Sequence, residues 1–250
     1  MNTIYDLGVH TGMDSLYYLK KGFKVIGIEA NPRLVNKIKN KLNDYIEQGK
    51  FILINKAITN KTDKKIDFYI NEKKKDWGTV LSNWNRTMNN KFKKISVETI
   101  TLQKIIETYG LPYYLKIDIE GSDVLILDSL LEINEKPKYL SIELLSINNL
   151  KNEKIDYLEI LNKLKKLGYN KFILYNQAKK REVLKPSLEG KTIDYNFTGH
   201  CSGLFGKDIF ESENEVNFEY LKEKYIEHIN KKINNELFNL NCWYDIHCTF

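Results

Sequence analysis

The sequence predicts an α/β protein built on a doubly wound, mostly parallel sheet with helices on both faces. Three observations predict it. Short apolar runs suited to strands alternate with stretches whose apolar residues recur at helical spacing. The first run passes through a glycine turn straight into a helical pattern, which is how a βαβ unit opens. Acidic residues recur where successive runs end, at Asp6, Glu29, Asp118 and Glu143. The chain has 250 residues, and at about 100 to 200 residues per domain it is read as one domain. That domain comprises a core over 1–175, an insertion around 60–97 and a C-terminal extension over 176–250.

The elements follow in order. Thr3-Ile4-Tyr5 is a short strand that ends in Asp6-Leu7-Gly8-Val9-His10-Thr11-Gly12, and Leu16, Tyr18 and Leu19 begin a helical pattern. Lys24 to Glu29 is the second strand. Leu34, Ile38, Leu42 and Ile46 recur every four residues as one face of a helix. Phe51 to Ile54 is the third strand, and Ile66, Phe68 and Ile70 alternate with polar residues as in a half-exposed hairpin strand within the insertion. Leu102, Ile105, Ile106 and Tyr109 form a helix stripe stopped by Gly110 and Pro112. Tyr113 to Asp118 is a buried-type strand, followed by a helix over 124–131, a strand over 139–144, a helix over 155–167 and a strand over 171–175. In the extension, Leu221, Tyr225, Ile229 and Ile233 mark a helix. The final strand is left open between His200 to Gly206 and Trp243 to Cys248.

Composition narrows the function. With 42% hydrophobic and 29% charged residues the chain can bury a core. No stretch approaches the roughly 20 apolar residues of a membrane helix, and the first residues lack the layout of a signal peptide. It is read as soluble and cytoplasmic. Three cysteines, Cys201, Cys242 and Cys248, form no paired motif. The sequons at Asn60, Asn85 and Asn196 are accordingly read as unmodified. The net charge of +6 suggests nucleic acid, but only Arg33, Arg86 and Arg181 could offer the bidentate forks that grip phosphate and guanine, so nucleic-acid binding is disfavoured.

In a doubly wound sheet, ligands bind beyond the C-terminal strand ends, so Asp6, Glu29, Asp118 and Glu143 should ring one crevice. A dinucleotide would want GxGxxG receiving a pyrophosphate. Here the turn has only Gly8 and Gly12, and Asp6 ahead of them repels phosphate. S-adenosylmethionine carries no phosphate and presents an ammonium and a carboxylate, which suits an acid beside a glycine turn and the amides of Thr11 to Ser15. Glu29, 17 residues beyond Gly12, is close to the spacing at which an acid after the second strand reaches a cofactor ribose. The candidate cofactor contacts are Asp6, Gly8, His10, Gly12, Ser15, Glu29, Ala30, Asn31, Ala57 and Asp118.

Four segments resemble the FkbM-type methyltransferases, a branch of the class I S-adenosylmethionine-dependent enzymes. They are Asp6 to Gly12 with Ser15; Gly27-Ile28-Glu29-Ala30-Asn31-Pro32; Leu115-Lys116-Ile117-Asp118-Ile119-Glu120-Gly121; and the tail pieces Ser202 to Gly206 and Trp243 to His247. The third is the most diagnostic. His10 and Leu204 depart from the family pattern, which often has Asn and Pro there. The resemblance implies the class I methyltransferase fold and methyl transfer, usually to an oxygen of a sugar or another small hydroxylated acceptor.

Such transfer needs the acceptor oxygen, carbon and sulfur nearly in line at about 3 to 3.5 Å. A hydroxyl also needs a group to take its proton or a metal to acidify it. Asp118, Glu120, Glu143 and His247 are the catalytic candidates. Each has a plainer alternative: a loop-bracing Asp118, rim acids, or a satisfied strand histidine. Asp118, Glu120 and Glu143 could instead form a magnesium site, and Cys201, Cys242, His247 and Cys248 a zinc site; neither is favoured, and no metal is assigned. Asp76-Trp77-Gly78-Thr79 and Trp84 with Arg86 in the insertion, and Trp243 with Asp245 and His247 in the tail, are candidates for an acceptor pocket. The competing functions are methylation of RNA or protein nitrogen and cofactor binding without catalysis.

Overall fold

The computed structural model describes residues 2–73, 78–81, 92–120, 122–144, 158–177, 185–197, 201–233 and 244–250. Its centre is a seven-stranded sheet. The strands are β1 (Thr3–Leu7), β2 (Lys24–Ile28), β3 (Phe51–Ile54), β8 (Tyr114–Ile117), β9 (Tyr139–Glu143), β10 (Lys171–Asn176) and β11 (Tyr244–Thr249), in the order β10-β11-β9-β8-β1-β2-β3. β11 is antiparallel to both its neighbours, while the pairs from β9 through β3 are parallel. The last strand is therefore Tyr244–Thr249.

Helices cover both faces, and this is why β8 is buried at every position. On one face, α4 (Leu102–Tyr109), α5 (Asp123–Leu131), α6 (Glu159–Lys166) and α8 (Phe218–Ile233) supply Ile105, Leu127, Leu161 and Leu221. These pack on Tyr5, Leu115, Leu140 and Ile246. On the other face, α1 (Met13–Lys20) and α2 (Pro32–Lys41) bring Tyr17, Tyr18, Leu34 and Ile38 against Ile4, Val25 and Tyr114. Phe205, fully buried, seals this face with ring centroids 4.9 Å from Tyr18 and 5.1 Å from Tyr114. It leads into α7 (Gly206–Ser212), whose Asp208 pairs with Lys21 at 3.0 Å. Both charges are buried, so the pair fixes the tail to the end of α1.

Local signals explain the boundaries. Asn31 caps α2 by accepting from the Arg33 amide at 3.1 Å, with Pro32 as its first residue. Thr101 caps α4 through the Lys104 amide at 3.1 Å. The helix expected to run from Leu34 through Ile46 divides at Leu42 into α2 and α3 (Asn43–Glu47). Leu42 leaves helical geometry yet stays buried, so the apolar stripe survives the bend.

The insertion makes a sheet of its own from β4 (Ala57–Ile58), β5 (Lys65–Asn71), β6 (Gly78–Thr79) and β7 (Phe92–Ile100), in the order β4-β7-β5-β6. The expected hairpin is the antiparallel β5–β7 pair. It does not extend the main sheet, because β7 pairs instead with β4, the residues just beyond β3. Phe68, Ile70 and Val97 give this sheet its own small core.

Candidate functional site

A cleft opens where β1, β2 and β8 end, with the second sheet as its outer wall. Its floor is the turn between β1 and α1, in which Gly8, His10 and Gly12 have φ of 89°, 53° and 75°. Left-handed geometry suits glycine, and at Gly8 space demands it as well. A Cβ there would lie 1.7 Å from the Asp118 carbonyl oxygen. The Asp118 amide in turn donates to Leu7 O at 3.0 Å, so the two strand-end loops touch backbone to backbone.

Glu29, immediately after β2, is 8% exposed and lines the cleft. Its Oε2 accepts from the His10 amide at 2.9 Å and its Oε1 from the Asn31 amide at 2.8 Å. Burial pushes its carboxyl up to about 7, against the pull of those two amides. Ala30, Ala57, Ile58, Phe68 and Val80 give the cleft an apolar wall beside it.

Beneath the floor lies a buried polar cluster. Lys116 extends its Nζ to within 3.2 Å of Asp118, 3.5 Å of Asp6 and 3.8 Å of Asp14. Burial alone would lower its pKa, but Asp118, Asp6, Asp14 and Asp245 outweigh burial and hold it well above its usual value. Asp6 has no exposed surface, and its Oδ2 accepts from the Ser15 hydroxyl at 2.6 Å. Burial raises its carboxyl to about 6 despite Lys116 and Ser15. Asp14 accepts from the Ser202 amide at 2.8 Å, which joins the tail to α1.

Acids crowd the ends of β8, β9 and β11. Burial, reinforced by Asp118 and Asp123, pushes Glu120 up to about 8. Burial with Asp118, Glu120 and Asp245 nearby holds Glu143 well above the carboxylate range. Asp245 stands opposite Glu143 in the β9–β11 register. Glu120 and Glu143 can hold protons at neutral pH and release them when solvation changes.

A family model described as the methyltransferase FkbM domain matches residues 6–171. The chain belongs to the FkbM methyltransferase family. The match runs from the first strand-end acid through the start of β10 and includes the end of every strand that shapes the floor of the cleft. Among proteins of curated function, none matches this methyltransferase significantly in sequence.

Solved structures similar to it include precorrin-6y C5,15-methyltransferase from Geobacter metallireducens, at 9% identity and a TM-score of 0.43, covering 99% of this chain and 79% of that one. The C-terminal domain of precorrin-6Y C5,15-methyltransferase from Rhodobacter capsulatus is similar at 13% identity and a TM-score of 0.41, covering 77% and 75%. Haemonchus contortus phosphoethanolamine N-methyltransferase 2, solved with S-adenosyl-L-methionine, gives 10% identity and 0.41, covering 99% of this chain and 48% of that one. Likeness at this level says nothing of what the present methyltransferase modifies.

The structure distributes the expected site residues over three layers. Gly8, His10, Glu29, Ala30, Ala57, Asp118 and Glu120 line the cleft. Asp6 and Ser15 are sealed below it and bond each other, Gly12 packs toward Ile38 and Leu42, and Asn31 faces Glu29 and Arg33 as a helix cap. His247 is 2% exposed, paired in register with Ser141 and Ile173 inside the sheet, two residues below Asp245.

Metal readings gain no ligand set. Among the described residues no three His, Cys, Asp or Glu side chains gather as metal ligands. His247 and Cys248 are consecutive in a strand and point to opposite faces. Cys242, Trp77, Trp84, Trp243, Asp76, Arg86 and Gly121 lie outside the described residues. Among the described residues no helix is long and apolar enough to cross a membrane.

Lys116, Asp14 and Asp123 are absent from the expected site, yet they organise its charge. Lys116 carried a signal: a lone lysine in an otherwise apolar strand, two residues before Asp118 and hence on the same face.

Proposed function

We propose that this methyltransferase uses S-adenosylmethionine to methylate a hydroxyl, on a carbohydrate or another small polyhydroxylated acceptor. The observation that carries the reading is the pair of buried acids beyond β8 and β9, Glu120 and Glu143, both held above the ordinary carboxylate range by burial and the neighbouring Asp118, with Glu120 on the wall of the cleft. A hydroxyl is a weak nucleophile, and a carboxylate whose pKa lies near neutrality is suited to take its proton.

The cleft suits the cofactor. Glu29 has both oxygens oriented by amides and retains lone pairs for ribose hydroxyls. Ala30, Ile58 and Phe68 offer an apolar slot for a flat base, and no phosphate-binding surface is required. When bound, S-adenosylmethionine supplies an activated methyl group. The chain's own tasks are then to hold the acceptor oxygen in line, exclude water and accept the acceptor's proton on Glu120 or Glu143. Asp118, fixed by Lys116 at 3.2 Å, positions the loop between them. The core and the C-terminal extension act as one domain in this reading, since β11 and Ser202 belong to the same site as β1 and α1.

Calorimetry should detect S-adenosylmethionine and S-adenosylhomocysteine, with NAD and ATP silent, and labelled methyl should pass to nucleotide sugars or oligosaccharides with little dependence on salt. Tight NAD binding without the methyl donor would sink the cofactor assignment. Methyl appearing in RNA or protein while a broad glycan panel stays blank would overturn the acceptor class alone. Cofactor binding with biological function intact in Asp118→Asn would favour a non-catalytic module.

A further inference from the structure

We propose that Thr79 is a positioning residue for Glu120: its hydroxyl, on β6 of the second sheet, fixes the Glu120 carbonyl and with it the left-handed turn that presents Glu120 to the cleft. The inference rests on the reading of Glu120 as an acid of the methyl-transfer site. Thr79 is 1% exposed, and its Oγ1 donates to Glu120 O at 3.0 Å while accepting from the Leu81 amide at 3.1 Å. Because the oxygen is committed as acceptor to Leu81, its proton is directed at Glu120.

Glu120 needs such a hold. Its φ is 55°, a conformation that a residue with a side chain keeps only where its surroundings impose it. The loop that carries it is anchored from three sides. The Asp118 amide bonds Leu7 O at 3.0 Å, from β1, and the Ile119 amide bonds Asp123 Oδ1 at 3.0 Å, from the start of α5. Thr79 supplies the third anchor from the opposite wall. Its strand is itself seated firmly, with Thr79 opposite Tyr69 in register and Gly78 so close to Phe68 that a Cβ would come within 2.5 Å of the ring.

The hydroxyl thus joins the wall of the cleft to the loop that bears its acid. The charged groups facing Glu120 are Asp118 and Lys116 at the end of β8, Glu143 at the end of β9, Asp123 from α5 and Glu29 from the end of β2, with Lys56 on the same cleft wall. Released from Thr79, the loop would let water reach the carboxyl and weaken the effect of its acidic neighbours.

The test uses the whole protein without cofactor or acceptor. Carbon-13 NMR of labelled glutamate carboxyls gives the Glu120 titration, assigned by the resonance lost in Glu120→Gln. Wild type and Thr79→Ser should titrate together near about 8. Thr79→Val, which keeps the shape but lacks the hydroxyl, should titrate lower by about one pH unit or more, with Glu29 unmoved. Thr79→Ala should behave like Thr79→Val and serves if the valine variant does not fold. A folded variant without the hydroxyl that titrates as wild type overturns the proposal. So does Thr79→Ser moving as far as Thr79→Val, or an equal shift at Glu29. Calorimetry of wild type with S-adenosylhomocysteine separates the two levels: no binding removes the cofactor reading, whatever the titration shows.

Discussion

Where β1 and β2 end, Glu29 has each carboxylate oxygen met by a backbone amide, from His10 at 2.9 Å and Asn31 at 2.8 Å. Where β8 and β9 end, Glu120 and Glu143 face Asp118 and, at Glu143, Asp245 as well. Burial raises the acids on both sides, but fixed amides oppose it at Glu29 and like charges reinforce it at Glu120 and Glu143. The first arrangement presents oriented lone pairs that need not move, which suits holding a ligand. The second keeps protons near neutrality, which suits exchanging them. Lys116 lies between, within 4 Å of Asp6 below one half and Asp118 beside the other.

The largest expected effect is on turnover. At least one of Asp118→Asn and Glu120→Gln should lower the rate by about 10²- to 10⁴-fold, with S-adenosylhomocysteine affinity changing only a few-fold by calorimetry. Equal losses in rate and affinity would erase the division between the halves. Lys116→Met should come next, because it strands Asp6, Asp14 and Asp118 without their shared cation. Loss of one partner from a buried ionic group costs about 3 to 5 kcal/mol, read from denaturant unfolding, and should be partly recovered in acid as the carboxylates protonate. Wild-type stability at pH 7 would show that these acids are neutral without the lysine.

Glu29→Ala should weaken S-adenosylhomocysteine binding by roughly 1 to 3 kcal/mol, the range for lost hydrogen bonds to a charged group, while turnover at saturating cofactor stays near wild type. An unchanged affinity would remove Glu29 from the binding half. Stability should also depend on pH. Asp6, Glu29 and Glu120 titrate near about 6, 7 and 8 in the fold, above their ordinary values near 4. The folded state therefore keeps protons that the unfolded chain has released, and stability should fall as pH rises from about 4 to 8. Glu120→Gln should flatten the upper part of that slope; an unaltered slope would place Glu120 in water.

Much of this was legible in the residues. β1, β2, β8 and β9 are buried on both faces, so they read as near-continuous apolar runs, and the strand-end acids follow from them. β11 reads poorly because Asp245 and His247 alternate with apolar residues as if facing solvent. They face the interior instead, on the same side of the sheet as Lys116 and Ser141. Asp6 and Ser15 show how sequence places a residue near a site without saying which way it turns. The start of α1 brings the Ser15 hydroxyl onto Asp6, so both close the floor from below. The second sheet is the least legible part, since β4 and β7 pair across some forty residues and nothing local in Ala57-Ile58 announces a partner.

The place of β11 bears on how the molecule assembles. In the sheet β9 and β10 are not neighbours; each is joined to the other through Tyr244–Thr249. A chain that has folded through residue 177 has its turn, its Glu29 and its parallel strands, but β9 still presents a bare edge, and Glu143 stands without Asp245 beside it. Closing that slot requires contacts spanning about a hundred residues, the kind of distant pairing that slows folding. The contact that sets Asp245 beside Glu143 is therefore expected among the slower-forming pairings of the sheet.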